Sequence, residues 1–290
     1  MVDPVRIFVA ATPGEWLPMR VLEFSIRETS AQPIEVRPIA SFGRAIPLPT
    51  SPRNYPRTPF SFQRFLIPEL CNHGGRAIYL DADMQVFTDI AGLWNQPMQE
   101  HDLLAASEGG DGRKGQFSVM LLDCARLPWH IEDIVRGLDD GKYTYEQLMH
   151  DLCIAASVGL SISSQWNSLE RFESGATRLL HYTDMNTQPW VATSNPLAHL
   201  WVACLRRALA AGFISRTEVE REVFAGHARP SLLAQIDAGM DRPLDLPKSA
   251  RHVDRFFIAP YHYLNGSRAR RAVAAPLVWL ARRWRHIGGH

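Results

Sequence analysis

Two carboxylates one residue apart, Asp81 and Asp83, interrupt the apolar run RAIYLDADMQVF, Arg76 to Phe87. A dry strand does not end in two charges by default. Like charges held close repel, and each loses solvation on burial. In extended backbone, residues i and i+2 project to the same side, so both carboxylates are predicted to face one point. A divalent cation between them removes the conflict. An all-oxygen set suits Mg²⁺ or Mn²⁺, which keep coordination positions open for substrate phosphates. The chemistry this predicts is a metal-bound diphosphate. The plainer alternative is a pair of solvated loop acids, with Asp81 capping a turn.

The elements around the pair suit an open α/β sheet. VRIFVAA, Val5 to Ala11, is a short β-rich run without helical period and reads as a buried parallel strand. EWLPMRVLEFSIRETS follows with helically spaced Leu17, Val21, Leu22, Phe24 and Ile26, and PIEVRPI, Pro33 to Ile39, reads as the next strand. Strand, helix, strand is the βαβ unit. A Pro-rich loop spans Ile46 to Pro59, FSFQRFLIPELCN reads as helix, and Ala77 to Leu80 form the strand that ends at the acidic pair. DIAGLWNQ reads as a short helix, LLAASE and QFSVMLLDC as strands, Leu127 to Val158 as helical, and RLLHYT, Arg178 to Thr183, as strand. Helical segments dominate beyond residue 196, and no internal repeat is found. The predicted organisation is a domain over 1–195 and a helical C-terminal region over 196–290. In such a sheet, ligands sit beyond the carboxyl ends of the strands, where Asp81 and Asp83 leave it.

The bulk properties exclude several classes. The chain has 290 residues with a formal charge of +1, 46% hydrophobic and 21% charged. That composition is ordinary for a globular protein and gives no reason to invoke nucleic acid. Cys71, Cys124, Cys153 and Cys204 form no CxxC pair. They fit reduced cytosolic thiols better than a disulfide framework or a zinc site. MVDPVRIFVAATPGEW lacks the pattern of a secretory leader, and no apolar run approaches a membrane span. The expected location is cytoplasmic.

The stretch from Phe60 to Trp94 resembles the core of glycosyltransferase family 8, the glycogenin-like and bacterial galactosyltransferase-like enzymes of GT-A fold. Arg64 precedes Asp81 by seventeen positions, as the family's Arg precedes its DxD, and Leu93-Trp94 follows the acidic strand as in the family. QFSVMLLD resembles the family's next strand, and LLHYTDMNTQPW supplies His181, Pro189 and Trp190 for its final block. The resemblance covers roughly Val5 to Trp190. It implies an α/β fold of GT-A type, a mixed, mostly parallel sheet flanked by helices. It implies retaining transfer of a sugar from a nucleotide-sugar, usually a UDP-sugar, with Mn²⁺ (or Mg²⁺) held by Asp81, Asp83 and His181. The residues agree on His181, which ends an apolar strand and so is placed at the carboxyl edge. An imidazole nitrogen is acceptable to Mn²⁺ beside carboxylates. The bound metal would stabilise charge on the diphosphate leaving group, and Arg64 would add a positive group near the diphosphate or the sugar. The plainer role for Arg64 is a helix-surface ion pair.

The sequence also departs from the family. Gln116 stands where the family has an Asn that contacts the donor sugar. The family's Asp-Gln pair is matched loosely by Glu146-Gln147, with Asp151 as a rival. Gln147 and Asp151 are therefore the candidates for the position beneath the anomeric carbon, each equally readable as a helix-surface residue. After His181 the family's Gly becomes the insert Tyr182 to Thr187, and its phosphate-contacting Lys becomes Gln188. Asp184, in that insert, is a cap or an acceptor contact. Arg113 or Lys114 are candidates to compensate for the missing Lys. Around the nucleotide the resemblance places Ala10, Thr12 and Trp16 at the end of the first strand, with Trp16 either stacked on the base or packed in the core. It also places Ala82, between the two carboxylates.

SRARRAVAAPLVWLARRWRHIGG combines Arg268, Arg270, Arg271, Arg282, Arg283 and Arg285 with helically spaced Val273, Leu277, Leu280 and Trp284. Such a helix either lies on an anionic inner leaflet or packs on the domain with a solvated Arg face. The first case makes the acceptor lipid-linked, as in polysaccharide assembly. Two other functions compete. One is a degenerate family member that binds nucleotide-sugar without turnover. The other is a DxD nucleotidyltransferase, disfavoured because no GxxxxGK[ST] loop occurs.

Overall fold

The structure, a computed structural model, describes residues 3–107 and 116–261. Arg113, Lys114 and the basic segment 268–285 lie outside them. Two compact units are formed. One holds Ser25–His181 together with the first strand, and the other holds Pro13–Phe24 with residues 182–261.

The first unit is built on a six-stranded sheet. In chain order its strands are β1 (Val5–Ala10), β2 (Ile34–Pro38), β3 (Arg76–Asp81), β5 (Leu103–Ala106), β6 (Gln116–Asp123) and β7 (Val158–Ile162), with β4 (Met84–Val86) leading out of the sheet. The spatial order is β2-β1-β3-β6-β5-β7. Strands β2, β1 and β3 are parallel, β6 runs against both β3 and β5, and β5 is parallel to β7. Five strands therefore share one direction. The reversed β6 brings its first residue, Gln116, to the edge where β1 and β3 end. There Ala10 is the register partner of Asp81.

Both faces of β1, β3, β5 and β6 are largely dry, which is why these strands read as continuous apolar runs rather than alternating ones. Phe8, Ala10, Ala77, Tyr79, Leu103, Ala105, Met120 and Leu122 point into one cluster with Phe62, Phe65, Trp129 and Leu148. The intervening Ile7, Val9, Ile78, Leu80, Leu104, Val119 and Leu121 are buried on the other face. Each such side chain contributes about 1.5–3 kcal/mol by leaving water. Asp81 has the parity of Ala77 and Tyr79, so it lies on the face of the first cluster.

Helices α1 (Trp16–Thr29), α2 (Ile67–Leu70), α3 (Ala91–Trp94), α4 (Ile131–Asp139) and α5 (Tyr145–Asp151) intervene between strands. The stretch expected as one helix at Phe60 to Asn72 is a 3-10 turn, Gln63–Leu66, followed by the single turn of α2. Pro68 near the start of α2 and left-handed Asn72 and His73 just beyond it limit that helix. The helical reading of 127–158 also needs correction at its end, because Val158 begins a strand. Gly159 there leaves no room for a Cβ against the His101 ring and Leu104.

A second sheet, β4-β9-β8, adds β8 (Ser168–Leu169) and β9 (Leu179–His181). Strand β9 runs antiparallel to β4 and parallel to β8. His181 thus sits on this small sheet, opposite Met84, and not on the carboxyl edge of the main one.

The other unit carries α6 (Ala198–Ala210), α7 (Arg216–Phe224), α8 (Ser231–Asp237) and α9 (Lys248–Arg251). Trp190 packs on Trp201 at 5.3 Å between ring centroids and on Tyr182 at 6.3 Å. Arg229 is wholly buried and donates to Pro189 O at 3.1 Å, to Ser231 Oγ and to Gln235 Oε1. Burial lowers its guanidinium to about 10. Among the described residues, no helix is long and apolar enough to cross a membrane.

Candidate metal centre

The chain beyond β3 bends at Ala82 and Asp83 before β4 begins. The two carboxylates therefore do not converge by strand alternation, as the i, i+2 argument expected. Asp81 stays on the sheet face, and the bend turns Asp83 toward β9. Asp83 Oδ1 lies 3.0 Å from His181 Nε2. One ligand atom each from Asp81, Asp83 and His181 falls within 4.8 Å of the others. All three side chains are largely enclosed, at 13%, 14% and 8% exposure. The solvated-acid alternative is thereby excluded.

Asp81 is held from two sides. Tyr79, two residues back on the same face, donates its hydroxyl to Asp81 Oδ1. Arg64 Nη2 stands 3.9 Å from the same oxygen, and its guanidinium lies 4.8 Å from the centre of the Tyr79 ring. Arg64 is buried, not on a helix surface. It donates from Nη1 to Phe117 O at 2.8 Å and from Nε to Ser61 O at 3.1 Å. Gln63 explains its position. The Gln63 amide donates to Ala11 O at 3.1 Å and accepts from Ala11 N at 3.2 Å, which clamps the 3-10 turn to the end of β1. These are backbone groups that lose their ladder partners where the strand stops.

His181 is held by Asn167. Its Nδ1 is 3.0 Å from Asn167 Oδ1, and Asn167 Nδ2 donates to Gln116 Oε1 at 2.7 Å and Ser118 Oγ at 3.1 Å. Gln116, expected at the donor sugar, is thus tied to the imidazole through one amide.

The electrostatics of the three side chains are set by burial and by one another. Burial raises the Asp81 carboxyl above its ordinary value, Arg64 pulls it part of the way back, and Asp83 adds to the rise. Burial also lifts the Tyr79 phenol well above its usual value. The His181 imidazole is pressed down by burial, but the Asp83, Asp81 and Glu170 carboxylates together outweigh this and the net direction is up. The Asp81 carboxyl and the His181 imidazole hold protons more tightly, a demand that a cation would relieve. Two carboxylates and an imidazole form a donor set that Mn²⁺ accepts. Adjacent octahedral ligands at about 2.1 Å from an ion lie about 3.0 Å from each other, which is the spacing of His181 Nε2 and Asp83 Oδ1.

The remaining candidates are placed as follows. Ala10 is buried at the end of β1, half-buried Thr12 follows it, and Ala82 is buried in the bend. Gln147 is exposed and completes the capping box of α5, accepting from Thr144 N at 2.8 Å while its own N–H reaches Thr144 Oγ1. Asp151 is exposed at the last position of that helix. In the other unit, Trp16 is 37% exposed at the start of α1, so core packing does not account for it. Gln188 is buried and donates to Tyr182 O at 3.0 Å. Asp184 is a turn cap, accepting from Asn186 N and Thr187 Oγ1, both at 3.0 Å. The backbone bond lowers its carboxyl. A cleft of about 520 Å³ opens beside Gln116 and Asn167, walled by Gln165, Arg171, Phe172 and Thr177.

Sequence reasoning missed Asn167, the Tyr79 hydroxyl and Gln63. For Gln63 the available signal was a polar side chain inside the largely apolar FSFQRFLI; Asn167, in the polar SSQWNS, carried none.

The sequence family described as "Glycosyl transferase family 8" matches residues 26–145. The protein "Protein CDI" of Arabidopsis thaliana is 38% identical over 92 residues, 31% of this chain and 36% of that protein. Among solved structures, the apo structure of the bifunctional glycosyltransferase WbbM aligns with a TM-score of 0.54 at 11% identity, covering 76% of this chain and 51% of that one. The glycosyltransferase GlyE of Streptococcus pneumoniae TIGR4 aligns with a TM-score of 0.49 at 17% identity, covering 73% and 64%. The chain thus spans about a third of its plant relative and about half of WbbM. Residues 26–145 thus resemble glycosyltransferase family 8, and the fold resembles that of the glycosyltransferase WbbM.

Proposed function

We propose that the protein transfers a sugar from a nucleoside-diphosphate sugar, a UDP-sugar by family, to a glycan or lipid-linked acceptor, with retention of configuration. The observation that carries this reading is the convergence of Asp81, Asp83 and His181 within 4.8 Å at the end of the acidic strand. These three would hold Mn²⁺ or Mg²⁺. Bound there, the cation supplies Lewis-acid stabilisation of the departing diphosphate. The protein's own part is positioning. Tyr79 and Arg64 fix the Asp81 carboxylate in one orientation. Low exposure of the three ligands keeps the electrostatics strong. Gln116 reaches the donor sugar, and Ala10, Thr12 and Ala82 serve the nucleotide. Sugar hydroxyls of the acceptor suit the polar cleft beside Gln116, with Phe172 as an apolar wall. A lipid-linked acceptor goes with the basic C-terminal segment and with action at the cytoplasmic membrane face.

The test is UDP release from a panel of UDP-sugars with Mn²⁺ and with chelator, for wild type and Asp83→Ala. Release from one donor, lost on chelation and in the variant, supports the reading. Release that survives both changes overturns it.

A second reading has an observation of its own. Gln147 is engaged in a helix cap and Gln188 in its own loop, so both are occupied structurally where the family places catalytic and phosphate contacts. A binder without turnover would show metal-dependent UDP affinity and no release from any donor. On the first reading, the partner of the anomeric carbon is chosen between Gln147 and Asp151 by which alanine variant abolishes release.

A further inference from the structure

Asn167 is a buried carboxamide with every polar atom of its side chain committed. Its backbone fixes it as the residue closing the 3-10 turn Ser164–Trp166, where its N–H returns to Ser164 O at 3.0 Å. The turn is anchored from both sides. Trp166 is buried beneath the Arg178 guanidinium at 5.6 Å, and Arg178 N donates to Gln165 O at 2.9 Å. Strand β8 then starts at once and pairs with β9, with Leu169 opposite His181. The amide is therefore delivered to the imidazole by a rigid frame.

The geometry points to Asn167 as the positioning residue of the metal centre: its side-chain oxygen holds the proton on His181 Nδ1, so that the Nε2 lone pair is the one presented to the cation, and the same amide links that choice to Gln116. The inference rests on the proposed metal role of His181. The argument is one of donors and acceptors. Asn167 Nδ2 meets two groups that accept, Gln116 Oε1 and Ser118 Oγ, which leaves Oδ1 to face Nδ1 as an acceptor. A histidine whose Nδ1 carries the proton can coordinate only through Nε2, and Nε2 is the nitrogen aimed at Asp83. Outer partners of this kind fix the tautomer and ring orientation of metal-bound histidines. The unusual element is the continuation to Gln116. Side chains that serve the cation and the donor sugar are joined by one amide, so disorder in either is felt by the other.

The experiment is Mn²⁺ affinity by EPR titration of the full chain, without donor or acceptor, for wild type, Asn167→Leu, Asn167→Asp and His181→Ala. Asn167→Leu removes the acceptor and is expected to weaken Mn²⁺ by about 10- to 100-fold. Asn167→Asp keeps an acceptor for Nδ1 and is expected to stay within about threefold of wild type, a rescue that a purely packing role does not predict. In parallel, ¹⁵N chemical shifts of His181 in the wild-type protein with Mg²⁺ and UDP should report Nδ1 protonated and Nε2 bare, which decides the matter even where Asn167→Leu fails to fold. Wild-type affinity in a folded Asn167→Leu variant, or a proton on Nε2 in the Mg²⁺ form, overturns the inference. Unchanged Mn²⁺ affinity in His181→Ala instead removes His181 from the ligand set, and both this inference and the proposed metal centre fall. Loss in His181→Ala with no loss in Asn167→Leu overturns the role of Asn167 alone.

Discussion

Replacing Arg64 by Met should expose how Asp81 is kept charged inside the protein. The side chains are 9% and 13% exposed and 3.9 Å apart. At an effective dielectric constant of about 20, a charge pair at that distance interacts by about 4 kcal/mol. The variant also strips the donors from Phe117 O and Ser61 O, each a loss of about 1–3 kcal/mol if buried and unreplaced. Against this stands the desolvation that the guanidinium no longer suffers. The expected net loss is therefore that of breaking one partner out of a buried pair, about 3–5 kcal/mol. The pH dependence carries the sharper test. The folded pKa of Asp81 is already raised by burial, with Arg64 opposing the rise. A raised folded pKa means that stability is fully present below the unfolded value of about 4 and is lost as pH climbs through the folded value. Removing Arg64 moves that folded value further up, so the variant's deficit should be larger near pH 7 than near pH 4. Urea unfolding with chelator present, followed by tryptophan fluorescence at both pH values, measures it. Adding Asp81→Asn to the variant should restore a large part of the loss, because the orphaned charge is gone. A deficit under about 1 kcal/mol, one that does not shrink at acid pH, or one that Asp81→Asn fails to relieve, would refute the reasoning.

Other perturbations have equally definite outcomes. Ser215→Ala breaks the capping box with Glu218 at the start of α7 and should cost about 1 kcal/mol in thermal or urea unfolding. Bonds from Ser215 hold the Glu218 carboxyl below its ordinary value, so its contribution is present above the unfolded pKa of about 4.5 and is lost as pH falls through the depressed folded value. The variant's deficit should accordingly narrow in acid. Gly137→Ala would drive a Cβ into the Tyr143 hydroxyl, which donates to Ile134 O at 2.7 Å, and should cost about 1–3 kcal/mol in the same assay. Tyr143→Phe in that background should relieve part of the clash.

What the sequence carried legibly was whatever depends on short-range pattern. The βαβ start, the acidic exit from β3 and the helical dominance beyond residue 196 are visible as runs and periods, because strands dry on both faces leave no alternative but continuous apolar segments. The reversal of β6 was not visible. Val119 to Leu122 are equally apolar in either direction, and only pairing with both β3 and β5 sets the sense. The candidate cluster was legible as residue types, but its mechanics were not. Asp81 and Asp83 do share one point, as the i, i+2 argument expected, but through a bend after β3, and a second sheet carries His181 to Asp83. Asn167 and Gln63 act over separations of 51 and 52 residues, through hydrogen bonds whose partners no local window contains. Gln147 shows the opposite limit. Its resemblance to a family position pointed to catalysis, while Thr144 three residues earlier already made it half of a helix cap.

The most direct test of the metal centre is anomalous diffraction near the manganese absorption edge, from crystals grown with Mn²⁺ and UDP. The account predicts a single strong peak within bonding distance of Asp81, Asp83 and His181 Nε2, and in contact with the UDP diphosphate. UDP bound with no peak among those three side chains, or a peak held by other residues, would contradict it.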